Sequence, residues 1–196
     1  MKHDPCLAVE HIRLRLRPLH RLLETALEER ERLSRDLHPA GMSSLCVTAE
    51  QVRVFAARCR SLLDKKARAS CEWMSDVERA SESELRAEVL RKGLRLPLDE
   101  LQRELRLSQF ELDTVLLCVA PEVEPAYGRL FGFLGDDLTC RRPQAGLICS
   151  LLGDGLAGRL DRRRLLGEYA ALRRRRVVVS TGDEELRPGP RTVAFL

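Results

Sequence analysis

Apolar residues recur in steps of three and four over the first stretch of the chain, at Ile12, Leu16, Leu19, Leu23, Ala26, Leu33 and Leu37. That spacing is the stripe of an amphipathic helix, and it predicts one over residues 7–37. Arg30 interrupts the seam, and Pro18 predicts a kink or a split in the first third. The opposite face (Arg13, Arg15, Arg17, Glu24, Glu28, Glu29, Glu31, Arg32) reads as solvated charge. Its acidic residues offset the basic ones, which speaks against a membrane-surface helix. Residues 37–41, LHPAG, predict a turn. Thr48 and Gln51 have capping-box spacing, and Val52, Phe55, Cys59 and Leu62 continue a second helix to about Ala69. It is expected to fold back on the first as an antiparallel hairpin.

Trp73 and Val77 open a third helical segment and are expected to fill the core. Ser81 and Glu84 predict the cap of a further helix carrying Leu85, Val89 and Leu90, ended by Gly93. Pro97 suits the first turn of a helix ending near Arg106, with Leu98, Leu101 and Leu105 inside. The strongest pattern follows. Ser108 and Glu111 form another capping box, and an unbroken apolar run, Val115 to Ala120, is closed by Pro121. A start signal, an acidic first turn and a stop proline predict a short helix buried on all sides. Later helices are expected around Tyr127–Leu134, from Pro143 through Leu152, and over 161–175. Arg176 to Thr181 is β-branched and bounded by Gly182, so it reads as a strand. Arg191–Leu196 is its candidate hairpin partner.

The order of residues from Gly93 onward also carries a resemblance. The matching positions are Gly93, Leu96–Leu98, Leu101, Leu107–Ser108, Phe110–Glu111, Asp113, Leu116–Cys118, Ala120–Glu122, Tyr127, Leu130, Leu134, Asp136–Asp137, Thr139 and Arg141–Pro143. In that order they resemble the winged-helix region that precedes the ATPase module of certain bacterial AAA+ ATPases, including those encoded with contractile, phage-tail-like injection systems. The resemblance covers roughly 93–196, about half the chain. It implies a winged-helix-like domain over 94–196 with a small β-hairpin or strand pair, and a helix starting near Pro190 rather than a strand. With the N-terminal helical hairpin or bundle that the periodicity predicts over 1–80 and a connecting helix over 81–93, the expected fold is mainly α. The ending Phe195-Leu196, with no polar tail, reads as the edge of a longer chain.

Composition narrows the chemistry. The 44% apolar and 4% aromatic content predicts a globular core built of Leu, Val and Ala. There are 34 Lys+Arg against 30 Asp+Glu, a net charge of +4, mild for an obligate nucleic-acid binder. The six-residue run at Val115–Ala120 is far too short to span a bilayer. The N-terminal MKHDPCLAVEH has no apolar signal core, so the expected location is the cytoplasm. None of the seven cysteines (Cys6, Cys46, Cys59, Cys71, Cys118, Cys140, Cys149) has C-x2–4-C spacing, and the four histidines all precede residue 39. Buried or incidental reduced thiols are expected, with no metal site.

Residues 153–160, GDGLAGRL, satisfy the dinucleotide pattern G-x-G-x-x-G and the start of a P-loop, but Arg159 and Leu160 stand where a P-loop needs Lys and Ser or Thr. The preceding residues read as helix rather than strand, so a helix–helix turn is expected. Asp136, Asp137 and Asp154 are too few for a carboxylate cage and are expected to cap or to pair with Arg141 and Arg142. No catalytic, cofactor-binding or metal-ligating set emerges. The remaining candidates are arginine clusters: Arg141 and Arg142, Arg162, Arg163 and Arg164, and Arg173–Arg176. The helix from Pro143 stands where a recognition helix would, with Gln144 its one good base reader.

Two functions follow as expectations. The resemblance implies a non-catalytic region that recruits a protein substrate or cargo for an AAA+ ATPase, with ATP and magnesium bound elsewhere in the parent protein and a hexameric ring formed by its ATPase module. The alternative is a winged-helix DNA-binding regulator that dimerises through its helical hairpin.

Overall fold

The computed structural model of the chain describes residues 4–37, 53, 56, 74–181 and 185–193. The expected turn after Leu37, the second helix from Thr48, the hairpin it would form and Trp73 lie outside the described residues. Among those described, nine helices accompany one two-stranded antiparallel sheet, a mainly α fold as expected.

Helix α1, Pro5–Leu37, is continuous through Pro18. Proline forfeits one backbone hydrogen bond, but the flanking Leu14, Leu19 and Leu23 are buried and hold both halves in place. The buried face includes the predicted Leu19 and Leu23 but is wider than the predicted stripe. His11, Leu14, Arg15, Leu19 and Leu23 are inside, whereas Ile12 and Leu16 are only half-buried. Arg15, expected in solvent, is a core residue.

Helix α2, Asp76–Arg91, is a single element where two were expected. Its capping box is Ser75 with Glu78, not Ser81 with Glu84. Ser75 precedes Val77, so Val77 falls in the first turn on the outer face, 75% exposed, and Leu90 is likewise exposed at 79%. The helix closes in a Schellman motif: Gly93 at φ +63° lets its N–H reach the Leu90 carbonyl and the Leu94 N–H reach that of Val89.

Helix α3, Pro97–Leu105, has its proline in the first turn and buries Leu98, Leu101 and Leu105, as predicted. Helix α4, Gln109–Val123, starts at the predicted Ser108–Glu111 capping box, and every residue from Phe110 to Ala120 is buried. It runs on to Val123 rather than stopping at Pro121. Proline restricts the residue before it and the carbonyl four back, while its own φ is helical, so the last turn completes. The Glu124 N–H then reaches the Ala120 carbonyl at 2.9 Å.

Helices α5, Ala126–Leu134, and α6, Ala145–Leu152, follow the predicted pattern closely. Residues 161–175 do not form one helix. Instead α7 spans Gly155–Leu165 and a single turn, α8, spans Ala171–Arg174. Leu166 and Leu172 are both buried. On one continuous helix, residues six apart would point about 120° from each other, so the break lets both face the core.

Strands β1, Val178–Thr181, and β2, Glu185–Pro188, pair antiparallel with Val179 opposite Arg187 and Ser180 opposite Leu186. The second strand is therefore Glu185–Pro188, earlier than the sequence expectation at 191–196. Helix α9, Pro190–Val193, occupies the start of that stretch, as the family resemblance implied. Gly189 makes the switch possible. A Cβ there would stand 2.0 Å from the Arg176 carbonyl oxygen, while its N–H donates to the Val177 carbonyl at 2.7 Å. The hairpin is tied to the helices where the Leu186 N–H reaches the Pro143 carbonyl and Gln144 bridges to Glu185.

Two buried clusters hold these elements: a smaller one joins Leu14 of α1 to Leu85 and Val89 of α2 and to Leu96, and the larger spans most of the rest. In the larger, Leu19 and Leu23 of α1 join Leu101, Leu116, Phe131, Ile148, Leu166, Leu172, Val178 and Leu186.

Candidate functional site

Helix α6, the short link Gly153-Asp154 and helix α7 make a helix–turn–helix, and the hairpin β1–β2 follows it. Gly153 is fitted to this turn: a Cβ would lie 2.6 Å from the Cys149 carbonyl oxygen. The glycine-rich stretch is thus a helix–helix link, as expected. With Arg159 inside α7 and no strand before the loop, its residues do not fit a nucleotide phosphate.

In a helix–turn–helix the second helix is the recognition element. By order in the chain α7, rather than the helix from Pro143, occupies the second position of this motif. Gln144 caps α6 with extended backbone and sits half-buried beside the hairpin.

A family model described as a winged helix domain, variant, matches residues 8–194. The chain belongs to this winged-helix family. No curated protein and no solved structure matches it.

The arginines of this winged-helix chain are largely engaged. Arg142 pairs with Glu122, and Asp136 pairs with Arg30 rather than with Arg141 or Arg142. Asp137 instead accepts the Thr139 N–H and hydroxyl at 2.9 and 2.6 Å, which holds its carboxyl below the usual range. The reason is local: Asp137 and Thr139 share one tight turn, whereas α1 passes beside Asp136. Arg162 lays its guanidinium 4.7 Å above the Phe110 ring, a cation–π contact that anchors α7 to α4. Arg175 donates to the Leu105 carbonyl. Arg141, Arg163 and Arg164 are exposed.

The outer face of α7 is mixed, with Asp161, Arg163 and Arg164 exposed beside two leucines. Leu156 and Leu160, one turn apart, are 40% and 57% exposed and lead into Arg163 and Arg164 at the helix end.

A second constellation escaped the sequence. Arg15 Nη2 donates to Asp113 Oδ1 at 2.8 Å, and Gln109 Nε2 donates to the same oxygen at 2.7 Å. Arg15 Nη1 lies 3.5 Å from Glu82 Oε2. Glu82 Oε1 also meets His11 Nε2 at 3.3 Å and Arg86 Nη2 at 2.7 Å, and Arg86 reaches on to Asp99 at 2.6 Å. Helices α1, α2, α3 and α4 each contribute. Burial pushes Asp113 up to about 6 despite Arg15 and Gln109, which pull the other way. Burial also raises Glu82, but His11, Arg86 and Arg15 overcome it and hold that carboxyl at about 2. The available signal was Asp113 itself: a carboxylate amid eleven consecutive buried residues needs a cation brought to it. A pocket of about 270 Å³ reaches the outer end of this network at Arg86 and Asp99, while Arg15 and Asp113 stay buried and tie the helices in register.

Among the described residues no group of His, Cys, Asp and Glu could hold a metal ion, and no helix is long and apolar enough to cross a membrane.

Proposed function

We propose that this winged-helix chain is a non-catalytic recruiting region of an AAA+ ATPase, serving a contractile injection system, and that α7 presents its docking face. The observation that carries the protein-docking part is the Leu156–Leu160 ridge. A groove-reading helix turns polar side chains to base edges, but here two of the outward positions of the second helix, over its first two turns, are leucines, and the exposed Arg163 and Arg164 come only at its end. Exposed leucines cost little in a helix that meets an apolar partner surface, and they contribute nothing to phosphate contacts. The AAA+ context rests on the ordered resemblance from Gly93 to Pro143. In this reading the chain holds substrate or cargo, while ATP and magnesium belong to the ATPase module, whose ring gathers several copies.

The DNA-binding regulator is the second reading. It draws on the helix–turn–helix order and on Arg163 and Arg164 at the end of α7. The coding sequence past Leu196 separates the two. A G-x4-G-K-[ST] motif within about a hundred further codons is the expected result. A stop codon, together with tight binding to one duplex, would overturn the recruiting role.

A further inference from the structure

The hairpin has two faces, and only one belongs to the core. Val178 and Leu186 point inward and are 1% and 0% exposed. Side chains alternate along a strand, so Val179 and its register partner Arg187 point to the other face. That face does not meet open solvent alone. The end of α4 and helix α9 rise on either side of it and enclose a groove of about 500 Å³. Its walls are apolar: Val119 and Val123 from α4, Val179 and Pro188 from the hairpin, Val193 from α9. Val123 and Val193 are 65% and 62% exposed, far more than the valines of the core.

Three charges line this trough, and they are not equivalent. Glu122 and Arg142 neutralise each other across an ion pair. Arg187 is exposed and has no carboxylate partner among the described residues. The groove therefore offers an apolar floor and one uncommitted guanidinium. Its volume is on the scale of a small-ligand site, too little for a helix some 10 Å across but enough for a few extended residues. A segment running through would bring buried N–H and C=O groups at both ends to satisfy. A segment that terminates there brings fewer, and supplies a carboxylate of its own.

We propose that this groove captures the apolar C-terminal end of a partner chain, with valine- or leucine-like side chains on Val123, Val179 and Val193 and the terminal carboxylate on Arg187. The site is separate from the α7 ridge, so it stands or falls independently of the recruiting role. Capture of a C-terminal carboxylate is a recurring mode of peptide recognition, and a guanidinium can take both carboxylate oxygens at once.

The test uses methyl NMR on the 196-residue chain with three probes: N-acetyl-Leu-Leu with a free carboxylate, its carboxamide, and amidated N-acetyl-Leu-Asp-Leu. The free acid is expected to shift the Val123, Val179 and Val193 methyls with about millimolar affinity, as suits a ligand of so few atoms. It should bind about fivefold more tightly than either amidated peptide. Arg187→Gln should erase that preference while leaving the fold unchanged, since the side chain is exposed. Val193→Ser should weaken all three probes. No methyl shift with the free acid overturns the site. Equal binding of acid and carboxamide, or a preference that survives Arg187→Gln, overturns the role of Arg187. Equal binding of the internal-Asp peptide overturns the terminal carboxylate as the ligand.

Discussion

Arg15 and Asp113 stand 98 residues apart in sequence and 2.8 Å apart in space, each nearly sealed from solvent. Their pairing joins the long first helix to the most buried one. A buried ion pair is a poor source of net stability but a severe liability when broken, because the survivor keeps its charge without a partner. Replacing Arg15 by Met should cost about 3 kcal/mol at pH 7. The loss should shrink at pH 5, where a lone Asp113 takes up a proton. Urea denaturation at both pH values measures it, and an equal loss at the two would show that Asp113 is not the group left stranded.

Asp113 also sets part of the pH dependence of the intact chain. Its folded pKa of about 6 lies above the ordinary 3.8, so the folded state holds the proton first and stability falls as pH rises from about 4 to 6. Glu78 and Glu82 act in the opposite sense. Both drop from 4.5 to about 2, Glu78 chiefly through its bond from Arg21, so their stabilisation is lost as pH falls from about 4.5 towards 2. These three groups together place a stability maximum near about pH 5. Carboxyl carbon NMR should show Asp113 titrating near 6 and both glutamates still ionised at pH 4.

Much of this was legible in the sequence wherever a local signal decided the outcome. Ser108 and Glu111 announced α4, Pro97 announced α3, and the β-branched run announced β1. Arg15 was hidden because the leucine stripe of α1 can be drawn along two adjacent faces. Only the position of Asp113, which no local spacing reveals, selects the face that includes arginine. The break after Leu165 was hidden for the same reason: that Leu166 and Leu172 both face the core is a tertiary fact. No local spacing foretells that Arg162, among the candidate arginines, lies over the Phe110 ring.

Two glycines should respond oppositely to alanine. At Gly189 a methyl group would collide with the Arg176 carbonyl, and that backbone is fixed by the hairpin beside it. Gly189→Ala should destabilise by roughly 2 kcal/mol or more. Gly146, inside α6, has nothing within 4 Å of its missing Cβ. Gly146→Ala should stabilise by roughly 0.5–1 kcal/mol through helix propensity alone. Thermal melts of the two variants against the parent chain check both signs.

Thiol reactivity should follow burial. Cys6 is exposed, whereas Cys118, Cys140 and Cys149 are buried, and burial pushes the Cys118 thiol well above its ordinary value. A reactive cysteine must offer a thiolate. Iodoacetamide at pH 8, read site by site by mass spectrometry, should label Cys6 in the folded chain and Cys118 only after denaturation. Rapid labelling of Cys118 under native conditions would mean that α4 opens far more readily than its packing implies.

The α7 face decides between recruiting a protein and reading DNA, and the two make opposite demands on its residues. Phosphate contacts would make affinity fall steeply with salt, roughly tenfold or more between low and physiological salt for several contacts. A sequence-specific regulator would retain a marked preference for one duplex over random DNA. The expected behaviour is weak, sequence-blind binding that physiological salt erases, because Arg142 is paired and Arg162 is committed to Phe110. Arg163→Ala with Arg164→Ala is the informative change. It spares Arg162, whose loss would loosen α7 from α4 and confuse folding with binding. Leu156→Ser with Leu160→Ser is its counterpart and should leave residual DNA binding unchanged while abolishing capture of a protein partner. Nanomolar binding to a defined duplex at physiological salt, lost in the double arginine variant and untouched in the double leucine variant, would promote the regulator instead.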